Sequence, residues 1–162
     1  MNHKEQKQQA ILEISKSYFI LLTTLKELND SLIMQGLTEG LNKFLSNAYI
    51  FKMGRNKHLI ADFYSKNALE IIGRKENKGL VFEHMIPKDR FQKECLKRAE
   101  NNELTLEYIV NELNRYWHIA IITKEEDALL SKTRKMPDSW DNVEIHARYK
   151  LINLELIEYN FH

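Results

Sequence analysis

A single cysteine, Cys95, stands in 162 residues, so neither a disulfide framework nor a cysteine-built zinc site can form within the chain. A reducing, cytoplasmic setting is the expectation. Long apolar runs are lacking too: YFILL, LVF and IAII are too short to span a bilayer, and the opening MNHKEQKQQA is polar rather than signal-like. The chain is therefore expected to be soluble, with no membrane partner. It has no P-loop, no dinucleotide-binding glycine pattern, no Gly-x-Ser-x-Gly elbow and no His-Glu-x-x-His. Those absences exclude the usual nucleotide-driven, esterase and zinc-protease chemistries. Nor is there a dominant charge sign, since the formal net charge is +1.

What is present suits one ordinary domain: 43% of the residues are hydrophobic, enough for a core without covalent staples. Charge is distributed unevenly. Residues 43–78 hold eight basic side chains against three acidic ones, and residues 88–98 hold five against two, a mildly basic middle compatible with a DNA partner or with solvated helix faces.

The first third reads as helix. Ile11, Ile14, Tyr18, Leu22 and Leu25 recur at three to four residues; a second helix, capped by Asn29 or Asp30, has Leu32, Ile33, Leu37, Leu41, Phe44 and Leu45 as its apolar face. The two should pack as a hairpin. Gly36 and Gly40 weaken the second and mark either a break or a close contact. A third helix is expected over about Lys57 to Ile72, with Gly73 as its stop.

The period then changes. After the polar turn RKENKG, the run LVFEHMI reads as a strand ended by Pro87. Helices follow over Lys88–Glu100 and Leu104–Arg115, separated by Asn101 and Asn102. WHIAIIT, Trp117 to Thr123, is a β-branched strand, and Thr123 with Glu126 forms a capping box for a short helix to about Ser131. A helical turn around Ile145–Tyr149 and a last strand over Leu151–Tyr159 complete an α+β fold, mostly helical, with a sheet of about three strands. It reads as one domain, with a helical part over 1–79 and a mixed part over 80–162.

Within LVFEHMIP the pair Glu83-His84 stands out, because neighbours in a strand face opposite sides and one of the two must leave the core. EHMIPK resembles the first motif of the HNH, or His-Me finger, nucleases, in which a strand presents a His beside an acidic metal ligand. The resemblance covers only these six residues, with Asn102 and Asn111 at the separation of the family's later ligands; the glycine-rich hairpin and paired CxxC of that family are absent. It implies His84 as the catalytic general base and Glu83 and Asn111 as ligands for Mg²⁺ or Mn²⁺, with Lys88 and Arg90 just past the proline in reach of neighbouring phosphates; separately, Arg148 in EIHARY is a candidate bidentate contact for a phosphate or carboxylate. His118 and Asn102 would be accessory.

Simpler roles compete for the same residues. Arg148 can pair with Glu144 on its own short helix, Glu125, Glu126 and Asp127 suit a helix N-terminus, and Cys95 among helical positions reads as a packed thiol. The loop KMPDSWDN carries Trp140, which can dock on the core. Its Pro137-Asp138 pair lacks the later lysine of a restriction-type nuclease. Two functional readings follow. One is a DNA-directed, phage-type HNH-like endonuclease; the other is a non-catalytic interaction protein, an inhibitor or regulator in a phage-defence or toxin system, binding a protein partner or a second copy through its N-terminal helices.

Overall fold

The computed structural model describes residues 2–25, 31–54, 56–130 and 135–161, with the backbone alone for residues 31, 34, 35 and 42. In chain order the elements are α1 (His3–Leu25), α2 (Ser31–Met53), β1 (Phe63–Ser65), α3 (Lys66–Gly73), β2 (Leu80–His84), α4 (Lys88–Glu100), α5 (Leu106–Tyr116), β3 (Ile119–Thr123), α6 (Lys124–Leu130), α7 (Ala147–Leu151) and β4 (Leu156–Glu158). The fold is α+β and mostly helical, as the periodicities predict, and its small mixed sheet has four strands. Contacts gather the chain into two compact units that interleave in sequence: Met1–Arg55 with Lys88–Arg115, and Asn56–Pro87 with Tyr116–His162.

In the helical unit α1 and α2 form the expected hairpin. Gln6 Nε2 donates to the Lys52 carbonyl at 3.1 Å, Lys52 pairs with Glu13, and Tyr18 stacks near Phe44 with ring centroids 6.5 Å apart, so partners run in opposite order along the two helices. Ile11, Ile14, Tyr18 and Leu22 are buried at the predicted spacing. On α2 the expected face holds only in its second half: Leu41 and Leu45 are buried, whereas Leu32 and Ile33 are exposed. Asn29 and Asp30, the expected caps, lie outside the described residues. Gly36 and Gly40 stand inside an unbroken helix, and a Cβ on either would meet nothing within 4 Å, so among the described residues they mark neither a break nor a close contact.

The helix from Lys88 to Glu100 has the predicted bounds and buries Gln92, Cys95 and Ala99. Helix α5 begins at Leu106 rather than Leu104, because the Thr105 hydroxyl accepts from the Tyr108 amide at 3.1 Å and caps the first turn.

The sheet runs β2-β3-β1-β4; β1 and β3 are parallel, and the outer pairs are antiparallel. Every residue of β3, IAIIT, is buried, as a central strand of β-branched side chains requires. Two segments differ from expectation. Residues 57–65 are not helical: Phe63 to Ser65 form β1, and Ser65 then caps α3, its hydroxyl accepting from the Ala68 amide at 3.1 Å. The segment from Leu151 is not a continuous strand either. Residues 147–151 close as α7, Asn153 turns the chain at φ 52°, and only Leu156–Glu158 pair with β1.

The parallel strands each run straight into a helix, and one carboxylate ties both junctions. Glu126 accepts from Ser65 Oγ at 2.6 Å, from Asn67 Nδ2 at 2.9 Å and from the Thr123 amide at 2.8 Å. Thr123 Oγ1 in turn accepts from the Glu126 amide, which completes the predicted capping box.

Candidate functional site

Strand β2 is an edge strand, and its register on β3 decides where Glu83 and His84 point. Glu83 lies opposite Ala120 and His84 opposite Ile119. Because facing residues share a side, Glu83 belongs to the face of Ala120 and Ile122, whose core is completed by Met85, Leu130 and Tyr149. His84 belongs to the other face, where its ring meets Trp117 with centroids 4.6 Å apart and Phe82 at 5.6 Å.

Helix α7 brings Arg148 to Glu83. The guanidinium Nη1 donates to Glu83 Oε1 at 2.7 Å and to the His84 carbonyl at 3.3 Å, with the Arg148 side chain only 5% exposed and that of Glu83 21%. A buried guanidinium demands a carboxylate, and Glu83 supplies it. The expected Arg148–Glu144 pair is not formed. Glu144 pairs with Lys150 instead, and that ammonium together with the His146 amide holds the Glu144 carboxyl below the usual range. Arg148, buried on Glu83, is not placed as a phosphate contact.

This occupancy bears on a metal. A carboxylate whose oxygen is already held by a cation fits poorly as a ligand for Mg²⁺ or Mn²⁺, which needs that oxygen within its own coordination shell. Among the described residues no group of three His, Cys, Asp or Glu side chains is placed to hold a metal ion.

Helix α4 starts one residue after Pro87, so the segment following the strand is helical where the nuclease motif has a hairpin. Lys88, Arg90, Asn102 and Asn111 all belong to the helical unit. Lys88 Nζ donates to Ser46 Oγ at 2.6 Å, and Arg90 and Asn111 are exposed on α4 and α5. Asn102 has a local explanation: at φ 60° it closes α4, its amide donating to the Ala99 carbonyl while the Glu103 amide donates to that of Arg98.

The strand of His118 does pair with that of His84, yet the two imidazoles do not share a cleft. His118 lies on the Phe63 side, with ring centroids 6.2 Å apart, and its Nδ1 is 4.0 Å from Asp62 Oδ2. Asp62 Oδ2 also accepts from the Ile119 amide at 2.9 Å, and His146 meets Phe63 edge-on at 4.8 Å. Asp62, Phe63, His118 and His146 thus form a second polar-aromatic cluster. No spacing in the sequence announces it, because its members come from two strand ends and a distant turn.

Trp140 packs on Tyr116 at 5.9 Å and donates from Nε1 to the Glu144 carbonyl at 2.8 Å, which anchors the loop before α7. Cys95 is buried, and burial pushes its thiol up to about 12, as for a packed thiol. No helix among the described residues is long and apolar enough to cross a membrane. Comparison with protein families, curated proteins and solved structures finds no match for this chain.

Proposed function

We propose that the chain is a non-catalytic protein-interaction module, a protein of the inhibitor or regulator kind that acts by binding. The observation that carries this reading is the connecting end of the α1–α2 hairpin. Residues 17–25 and 31–38, on either side of the charged segment KELND, contain no charged side chain, although 29% of the chain is charged, and Ile20, Leu21, Leu32 and Ile33 are exposed in them. Exposed apolar side chains gathered on one helical hairpin fit a site of association. The exposed apolar residues of the other unit, such as Leu129, Val143 and Leu151, come from separate elements and need no such account.

On this reading EHMIP is strand chemistry: Glu83 answers Arg148, and His84 packs between Phe82 and Trp117. The rival is a DNA-directed, metal-dependent nuclease with His84 as its base. Incubation of plasmid and single-stranded DNA with Mg²⁺ or Mn²⁺ separates the two, comparing the wild type with His84→Ala at matched circular dichroism. The expected outcome is no cleavage by either protein. Cleavage by the wild type that disappears in His84→Ala would overturn the module and make His84 catalytic.

A further inference from the structure

We infer that Glu126 is a latch that makes the first turns of α3 and α6 open and close together, a conformational device separate from the hairpin surface. The two helices follow the parallel strands β1 and β3, and both starts are built alike. A hydroxyl residue ends the strand, a lysine opens the helix, and the hydroxyl accepts from the amide three residues on: Ser65 from Ala68 at 3.1 Å, Thr123 from Glu126 at 3.3 Å. Caps of this kind ordinarily serve one helix each. Here Glu126, a residue of α6, also reaches the start of α3.

Its carboxylate depends on that reach. Glu126 is 7% exposed and pairs with no cation among the described residues, so accepted hydrogen bonds are what offset its burial. Two of its three donors, Ser65 Oγ and Asn67 Nδ2, belong to the α3 start, and only the Thr123 amide belongs to its own. The dependence also runs the other way. Ser65 is fully buried, and its single hydroxyl hydrogen goes to Glu126 Oε2, which turns its lone pairs toward the Ala68 amide. Without Glu126 the hydroxyl that caps α3 loses the acceptor that orients it.

Opening either start alone therefore strands polar groups of the other. An unwound α3 leaves a buried carboxylate with one donor, and an unwound α6 leaves Ser65 without its acceptor; opening both frees every group to water. The half-open states are the unfavourable ones, which makes the pair one cooperative element rather than two independent caps. The turn before β2 is joined to it as well, because the Lys124 amide donates to the Gly79 carbonyl at 2.9 Å.

Amide hydrogen exchange of the full chain, followed residue by residue by NMR, tests the latch when each variant is read on the helix it does not belong to. Asn67→Ala, at an exposed position of α3, should speed exchange of the Glu126 amide in α6 by about tenfold, and Glu126→Ala should speed the Ala68 amide in α3 by at least as much, as loss of a hydrogen bond to a charged group does. The Ile121 amide of the central strand should keep its wild-type rate in both. Glu126→Gln, which retains the length and an acceptor oxygen, should leave Ala68 near its wild-type rate. Acceleration confined to the mutated helix overturns the inference. So does equal acceleration of Ile121, since the variants would then weaken the fold as a whole, and so does a glutamine variant as fast at Ala68 as the alanine one. Should Glu126→Ala fail to fold, Asn67→Ala decides by the same criteria.

Discussion

At the scale of single residues, the charge that Glu83 places on β2 is explained by one contact. Edge strands present unpaired backbone and are prone to pair with other chains, and an inward-turned charge is one way of discouraging that. Glu83 and the guanidinium it holds do both jobs, since Arg148 also donates to the His84 carbonyl. The two partners are unequally buried, 5% exposed for Arg148 and 21% for Glu83, so stranding one should cost more than stranding the other. Glu83→Leu leaves a buried guanidinium and is expected to destabilise by about 3 kcal/mol, whereas Arg148→Met leaves a carboxylate that reaches water and should cost about 2 kcal/mol. The double variant should return to within about 1 kcal/mol of the wild type, because a buried ion pair is replaceable by apolar groups of similar volume. Urea unfolding of the three variants checks the order; equal single losses that simply add would mean the two side chains do not act as a pair. That Arg148 would seek an internal carboxylate was legible in its short helix. That the carboxylate would be Glu83 rather than Glu144 was not, because 65 residues separate the partners and only the β2–β3 register and the α7 turn bring them together.

At the scale of elements, three helices end in the same way without the residue usually found there. Helices α3, α4 and α7 each close with a pair of reversed hydrogen bonds around a residue in the left-handed region, and those residues are Lys75, Asn102 and Asn153, with φ of 59°, 60° and 52°. Asparagine tolerates that conformation better than other side-chain-bearing residues, and lysine has no such excuse. At the end of α3 the Lys75 amide donates to the Ile72 carbonyl at 2.8 Å and the Glu76 amide to that of Ile71 at 3.2 Å, so the geometry is complete and only the Cβ is misplaced. Lys75→Gly is therefore expected to stabilise the protein by about 1 kcal/mol, read as a higher melting temperature. A lowered melting temperature would show that the lysine side chain contributes more than its backbone conformation costs. The same feature shows why element ends were harder to read than element identities. Gly73 marked the end of α3 to within a residue but is itself helical, and the turning residue two places on carries no glycine signal. Helix α4 was legible to its bounds because Pro87 fixes its start and the Asn101-Asn102 pair its finish. Strand β1 was hidden: three residues are too few to show alternation, and the cap at Ser65 was masked by the apolar spacing of Phe63, Tyr64, Ala68 and Leu69, which mimics a helix.

At the scale of the whole molecule, each compact unit buries groups that keep their protons only while it is folded. In the helical unit, burial pushes the Cys95 thiol up to about 12 and raises the Tyr18 phenol. In the sheet unit, burial raises Tyr64, whose hydroxyl accepts from the Ala61 amide, and also raises Tyr149, which lies near Glu83. Unfolded, these groups would titrate at ordinary values, about 9 for the thiol and about 10 for the phenols. Between those values and the raised folded ones, the unfolded chain has released protons that the folded chain retains. The folded state then binds more protons, so stability falls as pH rises. The contribution is complete below about pH 9 and is lost progressively above it, steeply once the phenols of the unfolded chain ionise near pH 10. Both units carry such groups, so the helical and sheet signals should weaken over the same alkaline window. Phenolate absorbance followed beside circular dichroism provides the check: Tyr18, Tyr64 and Tyr149 should ionise only as the dichroism collapses. Ionisation of all seven tyrosines in one ordinary phenol transition, with native dichroism intact, would contradict the burial of those three rings.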